Sequence, residues 1–342
     1  KEVTITRNMV VIMAVAVEML IFIALTLLVY LLIKKQIVIS VNRINHSLSE
    51  ITNGNLDVTM DVRNNLEFDS LSNDINATVD TLKRYIKDAE ERIDAELAFA
   101  KAIQHSALPS VFPPYPNRKE FEIFATMHTA KEVGGDFYDF YFVDEDNFAF
   151  LIADVSGKGI PAAMFMMTSK TIIKSCAESG MSVEQVFTVA NEKLCEGNDA
   201  GMFVTAWMGI LNVKTGKVLF ANAGHNPPLV KHADGTYEYL KTRAGFVLAG
   251  MEGVRYRGNE LELAPGDSIY LYTDGVTEAT DLNTELYGED RLHTVLEKYK
   301  DAAPQVICDE VKKDVDAFVG EAPQFDDITM LALKFYGKED AQ

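Results

Sequence analysis

The stretch KEVGGDFYDFYFVDEDNFAFLIADVSGKG, from Lys131 to Gly159, decides the fold of this chain. It contains two runs of aromatic and β-branched residues, DFYDFYFV and NFAFLIADV, and such runs are typical of β-strands. The polar run DEDN between them is a turn signal, and two strands joined by a short turn form a hairpin. The stretch therefore predicts an antiparallel sheet, with aspartates and glycines at the ends of its strands.

The same pattern of strands and turns extends over residues 121–337. The further strand runs are FEIFATMHTA, FVTAWMGILNV, KVLFANAG, PPLVKH, TYEYLK, SIYLYTDG and DITMLALKFY. Two helices interrupt them, at about 162–179 and 182–196, and two more are expected between about 289 and 319. Hairpin strands with paired helices inserted predict an α+β domain in which helices cover stacked sheets.

Five aspartates lie at the predicted strand ends or in short loops beside them: Asp136, Asp154, Asp274, Asp326 and Asp327. Taken alone, an Asp beside a Gly is more typical of a turn than of a metal ligand. The set comes from four separate chain segments, whose strand ends can meet at one rim of the domain. Carboxylates without Cys or His nearby suit Mg²⁺ or Mn²⁺, and two such ions can activate water for attack on phosphorus. The sequence therefore predicts hydrolysis of a phosphate ester without a covalent intermediate.

Five motifs, in chain order, resemble those of a known family: GGDFYDF, ADVSGKGIPAAMFM, NAGHNPPLV, LYTDGVTEA and FDDITMLAL. The family is the PPM-type metal-dependent serine/threonine phosphatases, in particular the bacterial branch of stress-response regulators and the stage II sporulation protein E. The resemblance covers residues 121–337 and implies a β-sandwich flanked by helices, with two Mn²⁺ or Mg²⁺ ions at its rim. It also implies a protein substrate that carries phosphoserine or phosphothreonine.

The resemblance implies a set of metal-site residues as well. Asp154 would bridge both ions, and Asp326 is preferred to Asp327 because many relatives have Asn at the second position. The implied metal ligands are Asp136, Asp154, the backbone carbonyl of Val155, Asp274, Asp326 and Asp327. The implied catalytic residues are Asp136, Asp154, Asp274 and Asp326. No side chain is predicted as the general acid, because DVSGKG has no His where eukaryotic members have one after the bridging Asp.

Three residues are candidates for substrate binding. Lys131 stands near the position of a phosphate-binding Arg in those relatives, although an ordinary surface lysine is the favoured interpretation. Lys158 lies between two glycines beside a helix start, where backbone amides favour anions. His225 is either a substrate-side residue or a structural histidine, and the structural role is favoured.

Two other functions fit parts of the sequence. The letters GGDF suggest a GGDEF-type nucleotide cyclase, but Val133 stands directly before the glycines where that family has an Arg close by, and the Asp-rich motifs all lie downstream. A catalytically silent receiver that binds a phosphoprotein without hydrolysis is a further alternative. Loss of ligand positions would indicate such a receiver, and none of the expected aspartates is missing.

An apolar segment at residues 9–33 precedes the domain, with Glu18 as its one charged residue. As a helix it would measure about 37 Å, which is enough to cross a bilayer. A cleaved signal peptide is the alternative, but the apolar run is long for one and lacks a small-residue cleavage site. Positive charge just after the segment predicts a cytoplasmic C-terminal side in the cell membrane. Residues 1–8 would be an extracytoplasmic remnant of a longer chain.

Residues 34–84 show two amphipathic stripes separated by TNGNLD, and they resemble a HAMP domain through GNLD, NLEF and NDIN. The usual early proline is absent from KQIVIS, and a plain helical hairpin is the alternative. Apolar residues continue at spacings of three and four through 85–108, which predicts a coiled-coil linker and a parallel homodimer. A histidine-kinase role for His105 is disfavoured because no Gly-rich ATP lid follows. The prolines of 109–120 form a connector before the domain.

The net charge of −19 excludes nucleic acid as the main partner, because a phosphate-binding face requires clustered Lys and Arg. The three cysteines are scattered without CxxC spacing, as in a reducing cytosol. The family resemblance implies that the phosphorylated protein substrate is a STAS-type anti-anti-sigma factor. The sequence as a whole predicts a membrane-anchored dimer with cytoplasmic HAMP and phosphatase domains.

Overall fold

The computed structural model of the chain describes residues 2–233 and 235–337. The chain divides into two compact units, Lys1–Ala95 and Glu96–Gln342.

The first unit begins with helix α1 (Glu2–Ile33), which continues through a π-helical turn (Lys34–Val38) into helix α2 (Ile39–Thr52). In the described part of the chain, one helical stretch is long and apolar enough to cross a membrane by length and composition, and it runs from Ile5 to Thr52. Residues 2–8, predicted to lie outside the membrane, form the first turns of α1, and Lys1 lies outside the described residues. The π-helical turn overlaps KQIVIS, where the HAMP-like pattern lacks its proline.

Helix α3 (Leu66–Ala107) follows after an irregular segment. The predicted break at TNGNLD is confirmed, because α2 ends at Thr52 and Gly54 adopts a φ of 92°, which L side chains rarely tolerate. A small core holds the segment in place, formed by Ile44, Met60 and Val62 with Phe68 and Ile75 against them. The side chain of Asn76 also bonds both the backbone N–H and the C=O of Met60, each at 2.8 Å.

Apart from two short elements, the second unit contains strands and helices in the order that the sequence predicts. Its strands are β1 (Phe121–His128), β2 (Phe137–Phe142), β3 (Asn147–Val155), β4 (Val204–Asn212), β5 (Lys217–Ala223), β6 (Leu229–Lys231), β7 (Tyr237–Tyr239), β8 (Asn259–Glu262), β9 (Ser268–Tyr272) and β10 (Ile328–Phe335). Its helices after α3 are α4 (Ile160–Glu178), α5 (Val183–Cys195), α6 (Asp274–Thr277), α7 (Gly288–Lys298) and α8 (Pro304–Val319).

The described strands form two five-stranded antiparallel sheets, β1-β10-β9-β6-β7 and β2-β3-β4-β5-β8. Helices α4 and α5 pack on the second sheet, and α7 and α8 pack on the first. The rings of Phe121 and Phe148 meet between the sheets, with their centroids 4.3 Å apart. The predicted α+β domain of stacked sheets covered by helices is therefore confirmed.

Two short elements differ from the prediction. Strand β8 (Asn259–Glu262) was not expected, because NELE contains a single apolar residue; it pairs with the edge of β5, where half-exposed polar side chains are tolerated. The predicted strand SIYLYTDG ends at Tyr272, and Asp274 instead opens the short helix α6. Asp274 therefore lies two positions beyond the end of β9 rather than within the strand.

Candidate active site

The strand pairing brings the predicted aspartates together. Phe137 pairs with Ala153 in the antiparallel β2–β3 ladder, so Asp136 just before β2 lies beside Asp154 near the end of β3. In the other sheet the end of β9 lies beside the start of β10, and the backbone N–H of Thr273 donates to the C=O of Thr329 at 3.0 Å. Four chain segments thus converge where the ends of the two sheets meet.

A hydrogen bond between the sheets joins these segments. Thr273 Oγ1 donates to Asp136 Oδ2 at 2.7 Å, and both side chains are buried. Thr273 belongs to the first sheet's β9–α6 turn, whereas Asp136 leads into the second sheet. The bond therefore fixes the rotamer of Asp136 relative to the turn that carries Asp274.

The carboxylates of this cluster repel one another. Burial raises the pKa of Asp136 well above its ordinary value, and the charges of Asp154 and Asp327 raise it further. Burial, followed by the charges of Asp274 and Asp326, raises the pKa of Asp154 to about 7. Burial also raises the pKa of Asp274, with contributions from Glu278 and Asp326. Such a concentration of buried negative charge is stabilised when a cation lies among the carboxylates.

The two glycines of GGDF allow close approaches that a side chain would prevent. A Cβ on Gly134 would overlap the carboxylate of Asp327. A Cβ on Gly135 would lie 2.7 Å from the backbone oxygen of Val155, the predicted carbonyl ligand. The GG pair therefore lets the loop before Asp136 pack directly against two predicted ligand positions.

Asp326 and Asp327 have different surroundings. Asp327 is buried, and its carboxylate accepts hydrogen bonds from the backbone N–H groups of Ala130 (2.8 Å), Gly135 (2.8 Å) and Asp136 (3.4 Å). Asp326 has a side chain that is 30% exposed, and its Oδ2 lies 2.9 Å from Lys158 Nζ. Asp327 thus holds the loop that carries Asp136, whereas Asp326 faces the open rim.

The three predicted substrate-binding residues lie in different environments. Lys158 is at the rim: besides Asp326, its ammonium group contacts the backbone oxygen of Phe325 and lies 3.7 Å from the centroid of the Phe325 ring. Lys131 is exposed, and its side chain passes beside Gly159. Both lysines therefore bring positive charge to the edge of the acidic cluster.

His225 lies inside the protein. Its Nδ1 lies 2.9 Å from the hydroxyl of Thr205, and its Nε2 lies 3.1 Å from the backbone oxygen of Tyr272, which only accepts. The ring thus donates through Nε2. Burial disfavours the charged imidazolium and lowers the pKa of His225 to about 4, so the neutral form is favoured. Both nitrogens are engaged within the fold, as the favoured structural role requires.

The donor set at the rim suits hard divalent cations, because it consists of carboxylate and carbonyl oxygens and excludes thiols and imidazoles. As the side chains stand, no three His, Cys, Asp or Glu residues within 2–233 and 235–337 are arranged to hold an ion. Asp327 is engaged by backbone amides and Asp326 by Lys158. The fit to a divalent cation therefore lies in the chemistry and charge of the oxygen donors.

Two residues at this site were not predicted. Thr273 lies within the motif LYTDGVTEA, so its position next to Asp274 was a usable signal. Gln104 is buried near the end of helix α3, and its carboxamide bonds the backbone of Gly134. Gln104 lies between Ile103 and His105, and no local pattern of residue types marks it as a site residue.

Comparison with known proteins identifies the family. The family model "Stage II sporulation protein E (SpoIIE)" matches residues 144–336. Phosphoserine phosphatase RsbU of Bacillus subtilis is 30% identical over 253 residues, which cover 73% of this chain and 72% of RsbU. Protein IcfG of Synechocystis sp. is 29% identical over 275 residues, which cover 72% of this chain but only 42% of IcfG.

A solved structure supports the fold. The SiaA-PP2C domain of Pseudomonas aeruginosa superposes with a TM-score of 0.64 at 23% identity, covering 72% of this chain and 98% of that domain. The nucleotide cyclase alternative is excluded, because the family and enzyme class that the comparisons show are those of a phosphatase. The predicted family is confirmed: this chain belongs to the SpoIIE family of PP2C-type protein serine/threonine phosphatases, whose members use two Mn²⁺ or Mg²⁺ ions.

Proposed function

We propose that this chain is a membrane-anchored signalling phosphatase that hydrolyses phosphoserine or phosphothreonine on a regulatory protein. The observation that carries the proposal is the convergence of Asp136, Asp154, Asp274 and Asp326 at one rim, where burial and mutual repulsion raise the pKa values of the first three. Groups perturbed in this way at a cleft are typical of catalytic sites. The family's known cofactors suit the oxygen donors of this rim.

We assign the metal-holding role to Asp136, Asp154, Asp274 and Asp326, together with the backbone oxygen of Val155. When bound, the two ions supply Lewis acidity at the phosphoryl group and an activated water. Asp154 is central, because its pKa responds to the charges of both Asp274 and Asp326. Asp327 is assigned to holding the loop 130–136 instead, because three backbone amides already occupy its carboxylate.

The lysines at the rim are proposed to orient the phosphate group. Lys158 is the stronger candidate, because its ammonium group lies 2.9 Å from Asp326 and thus within the acidic cluster. Lys131 lies beside Gly159, at the outer edge of the same turn. A phosphate dianion approaching an acidic rim requires such cations to offset repulsion. His225 has no part in substrate binding in this proposal, because both ring nitrogens have partners inside the fold.

The substrate proposed is a STAS-type anti-anti-sigma factor phosphorylated on Ser or Thr. Support comes from the 30% identity with the phosphoserine phosphatase RsbU, which extends over 73% of this chain. The net charge of −19 makes a nucleic-acid partner unfavourable. The chain spans less than half of IcfG, so the partners of such longer relatives do not transfer directly.

Membrane anchoring and dimerisation complete the proposal. The apolar residues 9–33 would span the membrane, residues 34–84 would form a HAMP bundle, and residues 85–108 a parallel coiled coil. Supporting this, Leu82, Ile86 and Ile93 on α3 are 41 to 55% exposed, at the spacing of a coiled-coil seam. In a homodimer these apolar side chains would be buried.

The test measures Mn²⁺-dependent phosphate release by the full chain in lipid nanodiscs. The substrates are a phosphoserine-bearing STAS protein and p-nitrophenyl phosphate, and the controls are Asp154→Asn and a chelator. We expect release from both substrates, abolished by either control. Release from p-nitrophenyl phosphate alone would contradict the STAS partner. Mn²⁺ binding without release from either substrate would identify a silent phosphoprotein receiver.

A further inference from the structure

We propose that Gln104 is a positioning residue that couples the end of helix α3 to the loop carrying Asp136. The inference rests on the proposed two-metal site, which it extends from the carboxylates to the linker helix. Helix α3 runs for 42 residues and ends at Ala107, so Gln104 lies in its last turn. Residues 130–136, within the connection between β1 and β2, form what is here named the GGD loop.

The contact between Gln104 and the GGD loop is reciprocal. Gln104 Nε2 donates to the backbone oxygen of Gly134 at 2.6 Å, and its Oε1 accepts from the Gly134 N–H at 3.1 Å. The residue is only 2% exposed, and Gly134 is buried as well. A buried peptide unit whose donor and acceptor are both satisfied by one carboxamide depends on the position of that side chain.

The opposite side of the GGD loop rests on Asp327. Its carboxylate would overlap a Cβ on Gly134, and it accepts hydrogen bonds from Ala130, Gly135 and Asp136. The loop is therefore held between an aspartate of the β10 turn and a glutamine of the linker helix. Asp136 is the last residue of the loop; its Oδ2 accepts a hydrogen bond from Thr273 Oγ1, and the β2–β3 pairing places it beside Asp154. A displacement of Gly134 would move Asp136 away from these partners.

This arrangement makes the site sensitive to the position of the helix end. An α-helix advances 1.5 Å and turns 100° per residue, so a shift of one residue would break both Gln104 bonds together. The contact thus has two discrete states, bonded and broken, as expected of an element through which a distant signal acts. In the bonded state the GGD loop holds Asp136 in place for metal binding.

The experiment uses the full chain in nanodiscs. Gln104→Met keeps the length of the side chain and removes both hydrogen bonds, whereas Gln104→Glu keeps the acceptor and removes the donor. The matched control is Tyr138→Phe, which removes the hydrogen bond from the Tyr138 hydroxyl to the backbone oxygen of Pro109 (2.8 Å). That bond also ties the segment after α3 to β2, but it does not involve Gly134. The measurements are Mn²⁺ affinity by calorimetry without substrate, and hydrogen exchange of the GGD loop amides.

We expect Gln104→Met to raise the Mn²⁺ dissociation constant by about tenfold, as for other residues that orient metal ligands. The amides of Gly134 to Asp136 should exchange faster, while kcat at saturating Mn²⁺ stays within about twofold of the wild type. Gln104→Glu should weaken Mn²⁺ binding in the same direction, and it carries the test if Gln104→Met does not fold. Tyr138→Phe should behave as the wild type.

If Gln104→Met binds Mn²⁺ as tightly as the wild type and its GGD loop amides exchange at the wild-type rate, the inference is wrong. Equal weakening by Tyr138→Phe would also overturn it, since the effect would then be general loosening rather than positioning. A wild-type chain that binds Mn²⁺ but releases no phosphate would contradict the proposed function alone. Calorimetry and exchange require no turnover, so the Gln104 comparison would still be decided.

Discussion

Thr273 Oγ1 and Asp136 Oδ2 are joined by a 2.7 Å hydrogen bond that crosses from one sheet of the sandwich to the other. The two residues are 137 positions apart in the chain and both are buried. The bond connects the turn that carries Asp274 with the loop that carries Asp136. It therefore fixes the relative position of two carboxylates that belong to different sheets.

Replacing Thr273 by Val removes this donor while keeping the shape of the side chain. The Asp136 carboxylate then loses a partner in a buried position, which destabilises the fold by about 1–3 kcal/mol. We also expect Mn²⁺ affinity to fall about tenfold, because Asp136 is no longer oriented. Thr171→Val is the control, since the Thr171 hydroxyl bonds only the backbone oxygen of Met167 in its own helix. Unchanged Mn²⁺ affinity in Thr273→Val would rule out the orienting role.

Replacing Asp154 by Asn should separate activity from stability. We expect kcat/KM to fall by more than about 100-fold, because even outer-shell partners of a metal contribute that much. In chelator the variant should be more stable, by about 2 kcal/mol at pH 8, because burial, and after it the charges of Asp274 and Asp326, destabilise the ionised wild-type carboxylate. The unfolding free energy in chelator would be measured by urea titration. Asp144→Asn, at an exposed turn, should give no such gain.

The sign of the pH dependence follows from the same pKa. With the folded-state pKa of Asp154 raised to about 7 from 3.8, the metal-free folded state binds more protons than the unfolded chain between these values. The contribution of Asp154 to stability therefore declines as pH rises from about 4 to 7. In Asp154→Asn this decline should be smaller than in the wild type. An identical pH profile for the two chains would show that Asp154 is not perturbed.

His225 should contribute the opposite trend. Its pKa is lowered from 6.5 to about 4, so the folded state binds fewer protons than the unfolded chain between these values. The stability that the neutral buried ring provides is present above pH 6.5 and is lost as pH falls towards 4. From pH 7 to pH 5 this amounts to about 2 kcal/mol. His225→Gln should remove that part of the pH dependence, whereas exposed His46→Gln should retain it.

Replacing Lys158 and Lys131 by Ala, one at a time, shows which of the two lysines orients the phosphate group. Lys158→Ala should lower kcat/KM for a phosphoserine protein by about 10- to 100-fold, since a charge-assisted contact to phosphate is lost. It should also strengthen Mn²⁺ binding, because Asp326 loses its 2.9 Å ammonium partner. Lys131→Ala, at an exposed position, should change both quantities less. The reverse order of effects would assign phosphate binding to Lys131.

The sequence predicted the strands and the meeting of their ends, because aromatic runs, turn signals and Gly-Asp pairs are local features. The preference for Asp326 over Asp327 came from the family resemblance and not from a local pattern, since the two differ in their contacts with residues 130–136 and with Lys158. Gln104 was missed for the same reason: its partner is a peptide group 30 positions away. The strand NELE was missed because an edge strand requires little apolar character. Long-range contacts to backbone groups leave no pattern in side-chain type.

The exposed stripe on helix α3 gives a direct test of dimerisation. Ile86 and Ile93 are 41% and 55% exposed and stand seven residues apart, at equivalent heptad positions. The double substitution Ile86→Glu and Ile93→Glu places like charges along the seam, so we expect the dimer to dissociate in light-scattering measurements. Lys87→Glu is the matched control, because it changes the net charge by the same amount at a position that pairs with Glu91 outside the stripe. The coiled-coil assignment would be contradicted if the wild-type chain were monomeric, or if the chain with both Ile86→Glu and Ile93→Glu were still dimeric. If the variant is monomeric and its phosphate release at saturating Mn²⁺ falls as well, the dimer contributes to the active state of the catalytic domain.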